Sequence, residues 1–491
     1  MRRSKQALSE VSGVNPLRTE HDSDPLNALV DATMQARGLV GLAAGAVVGA
    51  KPVLARAIGQ ANVEAGRTVT PETRFRIASV TKTFTAVALM QLVEQGRVSL
   101  DDAVNDHLKL FRVEHRDPKV PPVLIRHLLT HSSGLTDPLR SRDLLDPSRV
   151  FGPKDGRPVP SLTVRYGRVV RPRLSPEREW MYSNDGFAIL GQVVEDITAT
   201  PYAQYVTEAI FLPLGMTRTN FEPHGGDQNS VAVGYRLKRS IARPVAYRNV
   251  PVLAPGGAFS TLEDMLLYME ALCGGGANRH GRVLQPETLS AMFEPHRCLG
   301  GRVPYQGWCF FLDSEERHRV ASHPGDLAGF EAGLTLAPDI GSAAFAVANR
   351  HAGGAAQRLS LQLVRSLLGL SPNQLDGNVR APADVAEELV GDYRAAVSAT
   401  TNPRSFMMAG GRLRVRYEDG KLVMRSRLGV LHSPRALKPV ASEDPLWYRA
   451  HLHGFYFEDT DMNVVFAANS HGRVDHLELG LVGSRFDRVG H

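Results

Sequence analysis

The distribution of apolar residues predicts helices and strands in the first three quarters of the chain. Two short apolar runs, residues 41–48 and 52–58, are joined around Gly49-Ala50-Lys51 in the manner of a β-hairpin. Residues 79–95 are apolar nearly all round and end at Gly96, which indicates a helix buried in the centre of a domain. Similar patterns predict helices over 187–197 and over 261–272, the second with Ser260 as its N-terminal cap.

The apolar pattern changes to a period of two near the C-terminus. Apolar residues alternate with polar ones on either side of Asp419-Gly420, a dipeptide that favours a tight hairpin turn. The alternating residues are Leu413, Val415, Tyr417, Leu422 and Met424. Further short runs of this kind follow, so the last hundred or so residues are predicted to form a small all-β domain, either a barrel or a curled sheet.

These patterns divide the chain into four predicted segments. Residues 1–25 are polar and are expected to form a flexible arm. Residues 26–370 form the main domain, and 371–384 hold two prolines and a glycine, a composition typical of a linker. Residues 385–491 form the C-terminal β domain.

Composition narrows the class of protein. Of the 491 residues 43% are hydrophobic and 22% charged, which is ordinary globular composition, and the net charge of +6 does not indicate a nucleic-acid-binding protein. The cysteines are Cys273, Cys298 and Cys309, which form no Cys-x-x-Cys pair and predict neither a disulfide framework nor a cysteine zinc site. The longest uncharged apolar stretch, 38–50, is shorter than the ~20 residues of a membrane-spanning helix. We therefore expect a cytoplasmic protein without a membrane segment.

Residues 140–173 are unusually basic, with nine Arg or Lys residues against three Asp and several prolines. The stretch is interpreted as a long insertion. Two explanations stay open from the sequence: a solvated surface loop, or a cationic lid that favours anionic substrates.

The first chemical motif is Ser79-Val80-Thr81-Lys82, at the start of the predicted buried helix. Side chains three residues apart on a helix are neighbours on one face. The backbone N–H groups at a helix N-terminus favour developing negative charge, and an apolar environment helps an ammonium group to lose its proton. Ser79 and Lys82 are therefore a candidate nucleophile and a candidate base.

Two further motifs contain groups that can transfer protons or bind a substrate carbonyl. In Tyr182-Ser183-Asn184 the phenol can transfer protons, and the amide can hold a substrate carbonyl. In His323-Pro324-Gly325-Asp326 the glycine lets a substrate approach the backbone of a predicted strand, whose N–H can complete an oxyanion hole with that of Ser79.

Taken in order, Ser-x-x-Lys, Tyr-x-Asn and His-x-Gly resemble the three motifs of the serine β-lactamase and penicillin-binding-protein superfamily. The most similar branch is the class C β-lactamases with their related esterases and D-amino-acid-active peptidases. Residues 127–135 (HLLTHSSGL) and 255–261 (PGGAFST) are similar to two other segments of that branch. The resemblance covers about 30–370. It implies an α/β (α+β) sandwich, in which an antiparallel sheet from both ends of the domain meets a helical subdomain, followed by a lipocalin-like β domain.

The resemblance also implies roles for the motif residues. Ser79 would be the acylated nucleophile, and Lys82 its base or the group that keeps Tyr182 ready for proton transfer. Tyr182 would carry a proton to the leaving group and activate water, while Asn184 would bind Lys82 or a substrate carbonyl. The backbone N–H groups of Ser79 and Asp326 would form the oxyanion hole.

The third motif departs from the Lys-Thr-Gly usual in β-lactamases and DD-peptidases. His323 stands in place of the lysine and Pro324 in place of the threonine, and both are weaker anchors for a substrate carboxylate. We therefore expect His323 and Gly325 to line a substrate site for esters or small amides, with weak or no β-lactamase activity. A D-amino-acid peptidase or amidase, an acyltransferase or peptide cyclase, and a non-catalytic binding protein remain as alternatives.

Other functional classes lack their motifs. His127 and His131 are four residues apart on a predicted helix, but Leu128 replaces the glutamate of a zinc-peptidase motif, so no metal is expected. The chain contains neither a Gly-x-Ser-x-Gly elbow nor a phosphate-binding glycine loop. We expect a small-molecule ester, amide or peptide substrate, no cofactor and no nucleic-acid partner, and the oligomeric state stays open.

Overall fold

The computed structural model of the protein describes a defined set of residues. These are 24–135, 153, 161–222, 230–238, 241–298, 305–315, 317–371, 387–396, 411–427, 430–439, 452–457, 463–468, 473–479 and 484–489. Of the sequence-based segments, most of the 1–25 arm and nearly all of the 371–384 linker lie outside the described residues, as does the first part of the 140–173 insertion.

The described part of the main domain contains both long and short helices, interspersed with strands. Their bounds are α1 Asp24–Arg37, α2 Thr81–Glu94, α3 Val104–His107, α4 Ile125–Leu129, α5 Leu162–Tyr166, α6 Asn184–Thr198, α7 Tyr202–Val206, α8 Leu262–Cys273, α9 Pro286–Met292 and α10 Ala355–Leu367. A 3₁₀ turn, Ala78–Val80, leads directly into α2.

Nine strands form one antiparallel sheet in the order β10-β11-β12-β13-β14-β15-β1-β2-β3. Their bounds are β1 Gly41–Val48, β2 Lys51–Asn62, β3 Arg67–Thr68, β10 Arg297–Cys298, β11 Tyr305–Gln306, β12 Phe311–Glu315, β13 His318–Leu327, β14 Phe330–Ala337 and β15 Ser342–Ala348. Short ladders lie outside this sheet: β4 Phe75–Arg76 with β9 Phe259–Ser260, β5 Arg112–Val113 with β6 Val169–Val170, and β7 Tyr235–Lys238 with β8 Ile241–Pro244. Leu42 pairs with Ala348, so the two ends of the domain meet in the centre of the sheet, as expected.

Strand β1 is buried on both faces, because helices cover both sides of the sheet. Its sequence, GLAAGAVV, consists of glycine and alanine with one leucine and two β-branched valines. Ala43 and Val47 belong to the core shared with α2 and α8, whereas Leu42 and Ala44 pack with α1 and α10. The mixed sandwich implied by the family resemblance is therefore confirmed.

Helix α2 is the buried central helix predicted from its apolar sequence, and residues from Thr81 to Leu92 are buried. The hairpin of β1 and β2 and the helices α6 and α8 are also confirmed, with small shifts of their ends. One detail is wrong: Thr261, not Ser260, caps α8, since its side chain accepts the N–H of Asp264. Helix α1 was missed, and its start at Asp24 overlaps the last two residues of the predicted arm.

The C-terminal strands close into an eight-stranded barrel, β16 through β23 in sequence order, with β16 paired to β23. Their bounds are β16 Gly391–Ala395, β17 Arg412–Glu418, β18 Lys421–Ser426, β19 Arg435–Pro439, β20 Leu452–Phe457, β21 Asn463–Ala468, β22 Val474–Leu479 and β23 Ser484–Arg488. Asp419 and Gly420 both have positive φ, 50° and 77°, and Glu418 pairs with Lys421 across them, as expected of the hairpin turn. The small all-β domain is confirmed.

Within the described part of the chain, no helix has the length and apolar character needed to cross a bilayer.

Candidate active site

Ser79 lies in the 3₁₀ turn that precedes α2, so the α-helix begins at Thr81, two residues later than the sequence predicts. The residue before it, Ala78, has a positive φ of 48°, an uncommon conformation for a residue with a side chain. Strand β13 packs against this turn. At Gly325 a side chain would lie 2.4 Å from the carbonyl oxygen of Ile77, so only glycine permits the approach of this strand.

Lys82 is fully buried, and its Nζ donates three hydrogen bonds in the centre of the site. The acceptors are Ser79 Oγ at 3.0 Å, Asn184 Oδ1 at 2.8 Å and the Pro255 carbonyl oxygen at 2.7 Å. A buried ammonium group needs such partners because it has lost its hydration. The first two motifs thus meet at one atom.

The second motif forms the start of α6. Ser183 caps the helix by accepting the N–H of Gly186, and Asn184 is the first helical residue. The ring of Tyr182, just outside the helix, lies 4.9 Å from Lys82 Nζ. Because Ser183 is the cap, the phenol of Tyr182 lies on one side of it and the amide of Asn184 on the other. Both groups are close to Lys82.

His323 on β13 is fully buried, and its ring centroid lies 6.4 Å from that of Tyr182. Its Nδ1–H donates to the Pro324 carbonyl oxygen at 2.8 Å. Burial, and then the positive charge of Lys82, lower the pKa of His323 to about 3. The imidazole is therefore neutral at physiological pH, and the site has no cation at the third motif.

The structure thus brings all three motifs to one place, although they are separated by up to 244 positions, from Ser79 to His323. Asp326 lies further along the same strand, and its carboxylate oxygen Oδ1 is 3.1 Å from His351 Nδ1. Similarity to known proteins agrees with this arrangement, since the model of the family described as Beta-lactamase matches residues 26–368.

The chain belongs to the β-lactamase family.

Among relatives in this family, esterase EstB of Burkholderia gladioli is 32% identical over 336 residues, which are 62% of this chain and 83% of EstB. Protein flp of Staphylococcus aureus strain COL is 27% identical over 228 residues, 45% of this chain, and the match spans only 43% of flp. The octameric penicillin-binding protein homologue from Pyrococcus abyssi superposes with a TM-score of 0.61 at 23% identity and covers 94% of this chain and 99% of its own. That likeness concerns the fold, and its coverage includes the C-terminal region.

Three features of this family member's site were missed by sequence reasoning. The first is the Pro255 carbonyl, a backbone acceptor that no side-chain pattern reveals. The second is an aromatic wall: the Phe311 ring lies 6.4 Å from Tyr182, 6.0 Å from Trp180 and 5.4 Å from His323. The apolar start of β12, Phe311-Leu312, could have suggested that Phe311 is buried, but not which rings it contacts.

The third missed feature is a partly buried ion pair next to the site. Arg165 Nη2 lies 3.0 Å from Asp185 Oδ1, and the Tyr166 hydroxyl donates to the same oxygen at 2.7 Å. Arg165 and Tyr166 belong to the predicted basic insertion, and Asp185 follows Asn184. One end of the insertion is therefore fastened to the start of α6. The two interpretations of the insertion, a solvated surface loop and a cationic lid, concern mainly residues that lie outside the described ones.

His131 has a different local structure from the one that the sequence predicts. It was treated with His127 as part of one helix, but α4 ends at Leu129 and His131 has a positive φ of 54°. The two imidazoles therefore do not share a helix face.

Proposed function

We propose that this protein is a serine hydrolase that cleaves esters or small amides through an acyl-enzyme on Ser79. The observation that carries the proposal is the 3.0 Å hydrogen bond between the nucleophile candidate Ser79 Oγ and the fully buried Lys82 Nζ. A nucleophile and a base within hydrogen-bond reach, with the base oriented by further groups, is the arrangement that covalent catalysis requires.

In this mechanism Lys82 reacts as the neutral amine, a form that burial favours, and Ser79 Oγ bonds to the substrate carbonyl carbon while its proton moves to Lys82 Nζ. The bond from that carbon to the leaving oxygen or nitrogen then breaks, and the leaving group takes up a proton through Tyr182. Water, deprotonated by the same route, attacks the acyl-enzyme and restores the Ser79 hydroxyl. Asn184 holds Lys82 in place during both halves of the reaction, as its 2.8 Å hydrogen bond supports.

The oxyanion hole is proposed to consist of the backbone N–H groups of Ser79 and Asp326. Pro324 pairs with Gly333 across β13 and β14, and Asp326 pairs with Glu331. Proline has no N–H, which fits a non-hydrogen-bonded pair of the ladder, and the residue two positions along occupies a pair of the same kind. The N–H of Asp326 then points away from β14, toward the side where β12 has already ended.

Ester substrates are favoured over β-lactams by the neutral His323 and the aromatic wall of Trp180, Tyr182 and Phe311. A carboxylate gains little from a neutral imidazole, whereas apolar acyl groups are stabilised by contact with aromatic rings. The name of the relative EstB, an esterase, points to the same substrate class.

The proposal is tested by intact-protein mass spectrometry of the wild type and Ser79→Ala after exposure to a fluorophosphonate. Turnover of p-nitrophenyl butyrate and of nitrocefin is measured on the same samples. We expect one adduct on the wild type, none on Ser79→Ala, and faster turnover of the butyrate ester than of nitrocefin.

Equal labelling and turnover of the two proteins would show that Ser79 is not the nucleophile. Faster turnover of nitrocefin would leave the acyl-enzyme in place and reject the ester preference. A D-alanine p-nitroanilide, included as a third substrate, separates esterase from D-amino-acid amidase activity.

A further inference from the structure

His131 lies beside the proposed catalytic groups, and the mechanism above gives it no task. It is buried, with 1% of its surface exposed. Its ring centroid lies 4.5 Å from that of Tyr182 and 5.2 Å from that of Phe187. Burial of an imidazole costs free energy unless the ring makes hydrogen bonds, so the partners of His131 indicate its role.

Two hydrogen bonds connect His131 to the residues immediately before and after Tyr182. The carbonyl oxygen of His131 accepts the N–H of Met181 at 2.8 Å. Its Nδ1 accepts the N–H of Ser183 at 3.2 Å. Tyr182 is thereby held between two anchored peptide groups, while the ring of His131 packs against its own ring.

His131 makes both hydrogen bonds from an unusual backbone conformation. Its φ is 54°, in the left-handed region, while its carbonyl oxygen and its side chain both contact the 181–183 segment. Histidine, asparagine and aspartate adopt this left-handed conformation more readily than most other residues.

The arrangement requires a neutral ring, because Nδ1 can accept a hydrogen bond only without a proton. Burial, and then the positive charge of Lys82, hold the pKa of His131 well below its usual value. In the neutral form that accepts at Nδ1, the ring proton lies on Nε2.

We propose that His131 is a positioning residue for Tyr182: it clamps the Met181–Ser183 backbone through its carbonyl oxygen and Nδ1 and so holds the phenol at the proton-transfer position. This rests on the proposed function, since it assumes that Tyr182 moves the proton. Displacement of a proton-transfer group by about 1 Å lowers turnover by up to roughly 100-fold while leaving substrate binding nearly intact.

The test compares His131→Asn with His131→Gly. Both residues tolerate a positive φ, but only asparagine has a side-chain oxygen that can take the place of Nδ1 as acceptor for the Ser183 N–H. We expect kcat of His131→Asn to stay within about threefold of wild type, and kcat of His131→Gly to fall roughly 10- to 100-fold with KM changed less than about threefold. Rates are divided by the fraction of sites that react with the fluorophosphonate, so that unfolded protein does not count.

His127→Gly is the matched control. His127 is also buried, its Nδ1 accepts the N–H of Leu124 at 3.1 Å, and it lies four residues earlier in the same segment. This variant should lower the thermal midpoint and leave kcat per labelled site unchanged. A fall in its kcat as large as that of His131→Gly would assign both effects to general damage of the segment and overturn the proposal.

A kcat of His131→Gly equal to that of the wild type would overturn the proposal as well. So would an equal fall of kcat in His131→Asn and His131→Gly. These outcomes differ from failure of the proposed function, which would appear as Ser79-independent turnover in the wild type.

Discussion

Two cations contact consecutive residues at the start of α6, and they are held in different ways. Lys82 donates to neutral oxygens of Ser79, Asn184 and Pro255. Arg165 instead pairs with the carboxylate of Asp185. Burial alone would lower the pKa of Arg165, but the charges and hydrogen bonds of Asp185 and Tyr166 together outweigh burial and raise that pKa above its usual value.

The difference separates a reactive cation from a structural one. A lysine that donates to neutral oxygens can give up a proton without the separation of an ion pair at those contacts. A guanidinium group paired to a buried carboxylate stays charged and fastens two segments together. Under the proposed function, the same helix start holds the reactive lysine through Asn184 and anchors the basic insertion through Asp185.

The largest expected effect is that of Lys82→Arg, which keeps the charge and removes the ability to release a proton. We expect kcat/KM for p-nitrophenyl butyrate to fall roughly 1,000-fold, since proton transfer by a positioned group contributes about 10²- to 10⁴-fold. The thermal midpoint, measured in parallel, reports whether the larger side chain has disturbed the fold. Activity within tenfold of wild type in a folded variant would mean that charge alone suffices, and the contrast with Arg165 would no longer hold.

The next effect is that of Asp185→Asn, which leaves Arg165 without its counter-charge. Removal of one partner of a buried pair costs about 3–5 kcal/mol, and we expect a loss near 3 kcal/mol because the Arg165 side chain is 25% exposed. Urea unfolding followed by tryptophan fluorescence measures it.

The matched control is Asp31→Asn, which breaks the more exposed pair of Arg56 with Asp31 and should cost less than about 1 kcal/mol. Equal losses in the two variants would show that the contact with α6 does not anchor Arg165.

The smallest effect concerns His323, a third basic group, which burial keeps neutral. Its pKa is about 3 when folded and about 6.5 when unfolded, so the unfolded chain binds its proton first as the pH falls. The contribution of the buried, neutral His323 to the free energy of unfolding is complete above about pH 6.5 and is lost progressively as the pH falls toward 3. Between pH 7.5 and 5 the loss is about 2 kcal/mol.

Urea unfolding at these two pH values measures that loss. His323→Gln, which cannot be protonated, should lose about 2 kcal/mol less than the wild type over the same interval. Identical pH dependence of the two proteins would mean that His323 is solvated enough to titrate normally.

Much of the fold could be predicted because its signals are local. The apolar sequence of α2, the hairpin of β1 and β2, and the turn at Asp419-Gly420 each follow from neighbouring residues. Helix α1 was missed because its buried face, with Leu26 and Val30, becomes apparent only when α10 packs against it from the far end of the domain. Thr261 and not Ser260 is the cap because Ser260 is still the last residue of strand β9, and the two side chains do not indicate where that strand ends.

The site shows the same division between local and distant signals. The spacing of Ser79 and Lys82 predicts their contact, and family resemblance links them to Tyr182 and His323. The anchoring by Asp185 and Arg165 joins a helix start to an insertion whose sequence indicates only charge. The carbonyls of Pro255 and His131 are invisible to any reading of side chains, because every residue has one.

The pairing of β1 with β15 has a consequence for how the chain is made. Leu42 and Ala348 are neighbours in the sheet, yet roughly 300 residues separate them, which a ribosome adds in about 15–60 s at typical rates. During that interval the hairpin of β1 and β2 has emerged while the edge of β1 that will pair with β15 is still unpaired. Binding by a molecular chaperone is most useful to this chain in that interval, before the second half of the sheet has been synthesised.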